Sequence, residues 1–146
     1  MIIALASDHA GYELKIKIKN YLELSKLQTE DFGVYKTDSV DYPDYGILAA
    51  RAVAQGKADR GILICGSGIG MSMVANKVTG IRAALCTSIE MAELSRRHNN
   101  SNVLTLGGRI IDHQFALKIV DVWLKTPFEG ERHLRRVNKI HQLTGC

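Results

Sequence analysis

No apolar run in this chain approaches the roughly 18 residues that a membrane-crossing helix needs, so the sequence gives no sign of a membrane partner. Charge of one sign is also scarce in excess. Nineteen Lys and Arg against 15 Asp and Glu leave a net +4, which does not demand nucleic acid and suits a small anion equally well. Cysteine is limited to Cys65, Cys86 and Cys146, an odd set without metal-ligand spacing, as expected in a reducing compartment. There are no internal repeats, low-complexity segments or linkers. The start, Met1-Ile-Ile-Ala-Leu-Ala, lacks a basic n-region and runs at once into Asp8-His9, so it reads as a first strand and not as a signal peptide. A soluble cytoplasmic protein is expected. With 146 residues, 46% of them hydrophobic, residues 1–146 should form one domain with an ordinary buried core.

What is present centres on Gly61–Lys77. Ile62, Leu63 and Ile64 form a short unbroken apolar run, the signature of a buried parallel strand. Cys65 falls where that strand should end. Gly66-Ser67-Gly68-Ile69-Gly70 follows, with glycine at alternate positions. A backbone without Cβ atoms can turn tightly there and let a ligand approach its N–H groups. Met71, Met73, Val74 and Ala75 then begin a helix, which places those donors at a helix N-terminus. Better-known phosphate loops do not fit. Met71 stands where a G-x-G-x-x-G fingerprint needs its last glycine, and where a C-x5-R phosphatase needs arginine, and no Walker string occurs. What survives is a thiol beside a nest of backbone donors, an arrangement that favours thiolate chemistry. The alternative is an inert cysteine capping a hydrophobic strand.

In chain order, strands and helices alternate. Strands are expected at 2–6, 28–32, 62–64, 81–86 and 102–106. The polar turn Ser7-Asp8-His9-Ala10-Gly11 follows the first. The first helix turns Leu14, Ile18, Tyr21 and Leu22 inward, with Lys15, Lys19, Glu23 and Lys26 facing water. Residues 34–43 form the longest loop, ending in Asp41-Tyr42-Pro43, where proline opens a helix that runs to Gly56. Further helices start near Ser88, include Phe115 to Trp123 and stop before Pro127, and run from about Glu129, the last packing Leu134, Val137 and Ile140.

This alternation predicts an α/β fold: a single-domain Rossmann-like, doubly wound, five-stranded parallel sheet with a C-terminal helix. Ligands bind such sheets outside the carboxyl ends of the strands, at the switch point. In a flavodoxin-like order the first and third strands flank that point, so Asp8 and His9 should meet the Cys65 loop. Arg132 and Arg136, four apart on one helix, could grip one phosphate or form a solvated basic face. His98, at a helix end, could act or could merely cap the helix.

Ser-Asp-His-Ala-Gly at 7–11, Asp-Tyr-Pro at 41–43 and Ile-Cys-Gly-Ser-Gly-Ile-Gly at 64–70 resemble the type B ribose-5-phosphate isomerase family. So do Asn-Lys at 76–77, Gly-Ile-Arg-Ala at 80–83, Ser-Arg-Arg-His-Asn at 95–99 and Gly-x-Arg-His at 130–133. The matches follow in order along the whole chain. The family includes the lactose-pathway galactose-6-phosphate isomerase subunits, and some members act on allose 6-phosphate. The resemblance implies a homodimer, often paired into tetramers, with sites shared between subunits. It also implies isomerisation of a phosphorylated aldose and ketose with no metal and no cofactor.

Carried over by position, Cys65 matches the family's base, which moves a proton between C1 and C2. Ser67, threonine in many relatives, matches the hydroxyl that helps Gly66, Gly68 and Gly70 hold the enediolate oxygen. Asp8 and His98 match groups that open the furanose ring. His9, Arg132 and Arg136 match phosphate contacts, with Arg109 joining from the partner subunit, and Tyr42 and Asn99 line the substrate. The sequence shows no His/Asp/Glu cluster of the kind a metal-dependent sugar isomerase needs. Two other classes remain open: a nucleotide-binding module and a catalytically silent sugar-phosphate sensor or assembly subunit.

Overall fold

Strands and helices alternate as expected throughout the computed structural model, which describes residues 1–146. The elements are β1 (Ile2–Ser7), α1 (Tyr12–Leu24), β2 (Gln28–Asp31), α2 (Tyr42–Ala54), β3 (Arg60–Cys65) and α3 (Ile69–Ala75). They continue with β4 (Ala83–Leu85), α4 (Ile89–Arg97), β5 (Val103–Gly107), α5 (His113–Lys125) and α6 (Glu131–Thr144). Local signals account for several boundaries. Pro43 sits in the first turn of α2. The Ser88 hydroxyl accepts the Met91 N–H at 3.1 Å, and the Asp112 carboxylate accepts the Phe115 N–H at 2.9 Å, capping α4 and α5.

All five strands are parallel, in the order β2-β1-β3-β5-β4. The flavodoxin-like order is therefore correct for β2-β1-β3 but not beyond it. The chain passes from β3 out to the edge strand β4 and returns to lay β5 against β3. Because β5 is central, its end lies beside Cys65, which pairs with Gly107.

Side chains alternate across the sheet, so each strand contributes to two cores. Ile3, Leu5, Ile62, Ile64, Leu104 and Leu106 pack with α1 and α5, around fully buried Trp123. Ala4, Ala6, Leu63 and Cys65 pack with Ala49, Ala50 and Val53 of α2 and Met71 and Ala75 of α3. The Trp123 indole N–H donates to Ser101 Oγ at 2.8 Å, so the ring is buried without an unpaired polar atom. Truncation of such a residue costs about 3–5 kcal/mol.

Two expectations fail. Lys15 does not face water. It is wholly buried, with Nζ donating to Asp31 Oδ1 at 2.6 Å and to the Val34 carbonyl at 2.7 Å. Burial lowers its pKa, opposed by the bond to Asp31. On α6, Val137 is buried, but Leu134 and Ile140 remain 47% and 45% exposed, and Leu143 is 76% exposed. The helix leaves most of its apolar surface uncovered.

Candidate active site

Two groups of the expected residues are assembled in different places. The first occupies the carboxyl end of the sheet. Cys65 is the last residue of β3 and only 5% exposed. Its Sγ accepts the Gly68 N–H at 3.1 Å. Gly68 adopts φ +80°, and a Cβ there would lie 2.6 Å from Leu85 Cδ1 and 2.8 Å from the Leu106 carbonyl carbon, so no other residue fits without displacing the sheet end. The Ser67 hydroxyl accepts the Ile69 N–H at 3.3 Å. At Gly70 the Tyr42 ring approaches so closely that a Cβ would meet it at 2.6 Å. The glycine spacing thus makes room for an aromatic lid as well as for a turn. α3 is short, Ile69–Ala75, so the loop's own N–H groups, more than a long helix, are the donors nearest the sulfur.

Asp8 meets this loop from β1, as the switch-point argument requires. Its N–H donates to the Ile64 carbonyl at 3.2 Å, and its carboxylate accepts the Gly11 N–H at 2.9 Å. His9 Nδ1 accepts the Val40 N–H at 3.2 Å, which ties the long loop to the site. The third wall comes from the returning strand. The Gly108 N–H donates to the Cys65 carbonyl at 2.8 Å and the Arg109 N–H to the Gly66 carbonyl at 3.0 Å. Arg109 and His9 line one cavity of about 320 Å³ with Glu13, Thr37, Gly108 and His113. Sequence reasoning missed these last four: Gly108 and His113 reach His9 only because β5 is central, and Glu13 and Thr37 lie on a helix face and in a loop that carry no local signal.

The second group gathers where α4 ends. Arg96 is turned inward, 6% exposed, and donates to the Ser101 carbonyl, Asn100 Oδ1 and the Thr126 carbonyl. Burial pushes its guanidinium down to about 10. Arg97 points the other way, with Nε donating to Glu129 Oε1 at 2.6 Å and Nη1 to Glu93 at 3.0 Å. His98 stacks on His133 of α6, with ring centroids 4.3 Å apart and planes within 8°. Their Nε2 atoms lie 3.8 and 3.5 Å from Glu129 Oε2. Arg132 is exposed, with Nε 3.4 Å from His133 Nε2, and Arg136 is exposed one turn later. Asn99 faces a separate cavity of about 410 Å³ with Arg82, Ile140 and His141.

The expectation that His, Asp and Glu nowhere cluster is thereby corrected, because His98, Glu129 and His133 place ligand atoms within 4.8 Å of one another. The stack argues against chelation by both rings. An imidazole binds an ion in its own ring plane, and two parallel planes cannot share one ion. No hydrogen bond or ion pair joins the Cys65 group to the His98 group within one chain.

Fold and site together define a doubly wound α/β protein whose ligand end combines a thiol, a donor-rich glycine loop and basic side chains, a class suited to small anionic substrates. The model of the ribose/galactose isomerase family matches residues 3–140, and the chain belongs to that family. It is 45% identical over 138 residues to ribose-5-phosphate isomerase B of Escherichia coli, a match covering 94% of this chain and 93% of the relative. The solved ribose-5-phosphate isomerase B of Clostridium thermocellum is 50% identical, with a TM-score of 0.98 over 99% of this chain and 98% of its own. That of Mycoplasma genitalium, solved with bound ribulose 5-phosphate, is 44% identical with a TM-score of 0.95, covering 99% and 96%. No helix is long and apolar enough to cross a membrane.

Proposed function

We propose that this sugar-phosphate isomerase, acting as one domain over residues 1–146, interconverts D-ribose 5-phosphate and D-ribulose 5-phosphate, the step that belongs to the pentose phosphate pathway. The mechanism is a metal-free enediolate transfer with Cys65 as base. The observation that carries this reading is the Cys65 sulfur at the sheet's carboxyl edge, hydrogen-bonded by a loop N–H at 3.1 Å. Once the furanose is opened, with Asp8 and His98 handling the ring oxygen and its proton, Cys65 takes the C2 proton. The enediolate forms as the C1 carbonyl oxygen gains charge; O1 then takes up a proton as O2 gives one up, and return of the carbon proton to C1 leaves the carbonyl at C2 and yields the ketose. Ser67 and the N–H groups of the loop hold the charged oxygen, a type of contact worth about 3–4 kcal/mol per donor. His9, Arg109, Arg132 and Arg136 hold the phosphate, whose binding positions the reacting carbons. Tyr42 and Asn99 line the sugar.

Because the two groups are separate within one chain, the reading requires a homodimer or dimer of dimers, each site taking Cys65 from one subunit and His98 from another. Exposed apolar side chains on α3, α4 and α6, such as Met73 at 61%, Met91 at 44% and Leu143 at 76%, supply a surface to bury.

A second reading is isomerisation of a six-carbon 6-phosphate sugar, allose or galactose, which the family's description as ribose/galactose isomerase favours. One assay separates them: ribose, allose and galactose phosphates compared in excess EDTA. Ribose 5-phosphate should be turned over fastest and without loss to the chelator. Loss restored by a divalent cation would end the metal-free mechanism, and faster turnover of a six-carbon substrate would select the second reading.

A further inference from the structure

We infer that Glu129 is a positioning residue: clamped by Arg97, it holds the His98–His133 stack and limits it to a single proton, leaving His133 as the neutral platform beneath His98. The inference rests on the isomerase reading for the role of His98, but not for the stack itself. Glu129 is fixed from two sides. Its carboxylate receives Arg97 Nε at 2.6 Å and its N–H donates to the Arg97 carbonyl at 3.1 Å. Glu93 holds Arg97 in turn, at 3.0 Å. Oε1 is thus committed to the guanidinium, and Oε2 is left facing both imidazoles, 3.8 Å from His98 and 3.5 Å from His133.

One carboxylate oxygen offers one negative charge to two rings 4.3 Å apart, and a second proton would place like charges face to face. The groups around the stack decide which ring takes the first. His133 has its side chain 7% exposed, against 34% for His98, so charging it costs more solvation. Arg132, 3.4 Å away, and Arg136 add positive charge on the His133 side. From α4, Arg97 is already neutralised by Glu93 and Glu129. Burial first, then His98 and Arg132, lower the pKa of His133. His133, the more buried ring, is therefore the costlier of the two to charge, and its flat neutral face fixes the plane of His98.

The test follows both rings by long-range proton–nitrogen NMR in the intact, substrate-free protein, together with isomerase kinetics on the same variants. In the wild type, His98 should take up the first proton while His133 stays neutral. In Glu129→Gln, the pair's first protonation should move to lower pH by about half a unit or more. The same variant should lose kcat about tenfold with KM within about twofold, and the acid limb of its pH profile should shift in the same direction. Glu129→Asp, which keeps the charge, should recover most of kcat. Joint titration of the two rings, first protonation on His133, or an unmoved titration in Glu129→Gln would each overturn the proposal. So would equal losses in kcat and 1/KM that Glu129→Asp does not rescue. Should the wild type not isomerise ribose 5-phosphate while the NMR shifts hold, the substrate reading fails and the stack assignment stands.

Discussion

Cys65 and His98 both end an element, yet they are held in opposite ways. Cys65 closes a central strand, 5% exposed, with β1 and β5 hydrogen-bonded on either side and backbone bonds from Gly108 and Arg109 locking its turn. His98 caps α4 with its side chain 34% exposed and leans on α6, a helix that buries only His133 and Val137. One half of the candidate site is a product of the sheet. The other is carried on an arm whose apolar face is still open, and on the proposed reading a second subunit completes it. Rigid placement is what a base and an oxyanion cradle need, whereas a phosphate clamp tolerates assembly from outside.

The comparison is broken most severely at the rigid half. Cys65→Ala should lower kcat by several orders of magnitude with little change in substrate binding. Retention of more than about a tenth of kcat, a loss below ~1.4 kcal/mol, would remove the thiol as principal base. Alkylation by iodoacetamide, with substrate protecting, should track this loss, while Cys86→Ala stays active. Burial pushes the Cys86 thiol up to about 11, which keeps it unreactive. Co-expression of Cys65→Ala with His98→Ala, each nearly inactive alone, should restore roughly a quarter of wild-type activity, because half of randomly paired dimers are mixed and half their sites are whole. A purified hybrid as inactive as its parents would place the site within one chain.

Next in size is Asp31→Asn, which leaves Lys15 buried without its carboxylate. Breaking a buried pair of this kind costs about 3–5 kcal/mol, read as a shift in the urea unfolding midpoint. A shift under about 1 kcal/mol would mean that the Val34 carbonyl alone satisfies the ammonium. On the arm, truncating Arg132 or Arg136 should weaken ribose 5-phosphate and inorganic phosphate together, by about 1.5–3 kcal/mol for a charge-assisted contact, with the fold untouched. Unchanged phosphate affinity in both single variants would make the pair a solvated surface. The smallest effect is expected for Leu143→Glu, within about 0.5 kcal/mol on subunit stability. Its signature is a change in molecular mass by light scattering, and an unaltered assembly would place Leu143 outside the interface.

The rigid half was the legible half. An apolar run, a cysteine and alternating glycines are local patterns, so the loop and its strand could be read directly, and Asp8 followed from the switch-point rule. Lys15 could not, because helical periodicity assigns any lysine on a mixed face to water. Its partners Asp31 and Val34 lie beyond the next turn of chain, where no local period reaches. The β5–β4 exchange was hidden for the same reason: strand and helix alternate identically whether the chain steps outward or doubles back. His98 against His133 was equally invisible, since the two rings come from different helices and Glu129, whose carboxylate faces both, comes from the loop between α5 and α6.

The return of β5 also sets a condition on how this chain is made. β4 has no partner except β5, and the outer edge of β3 has none either until Val103–Gly107 is available. A chain emerging from the ribosome therefore presents Ile62–Ile64 with one face of its backbone ladder open until synthesis has passed residue 107, the kind of unpaired edge that recruits other strands. Nothing short of that length can close the sheet, and nothing short of it can wall the Cys65 loop with Gly108 and Arg109. Nascent chains stalled earlier should be sticky and inert together.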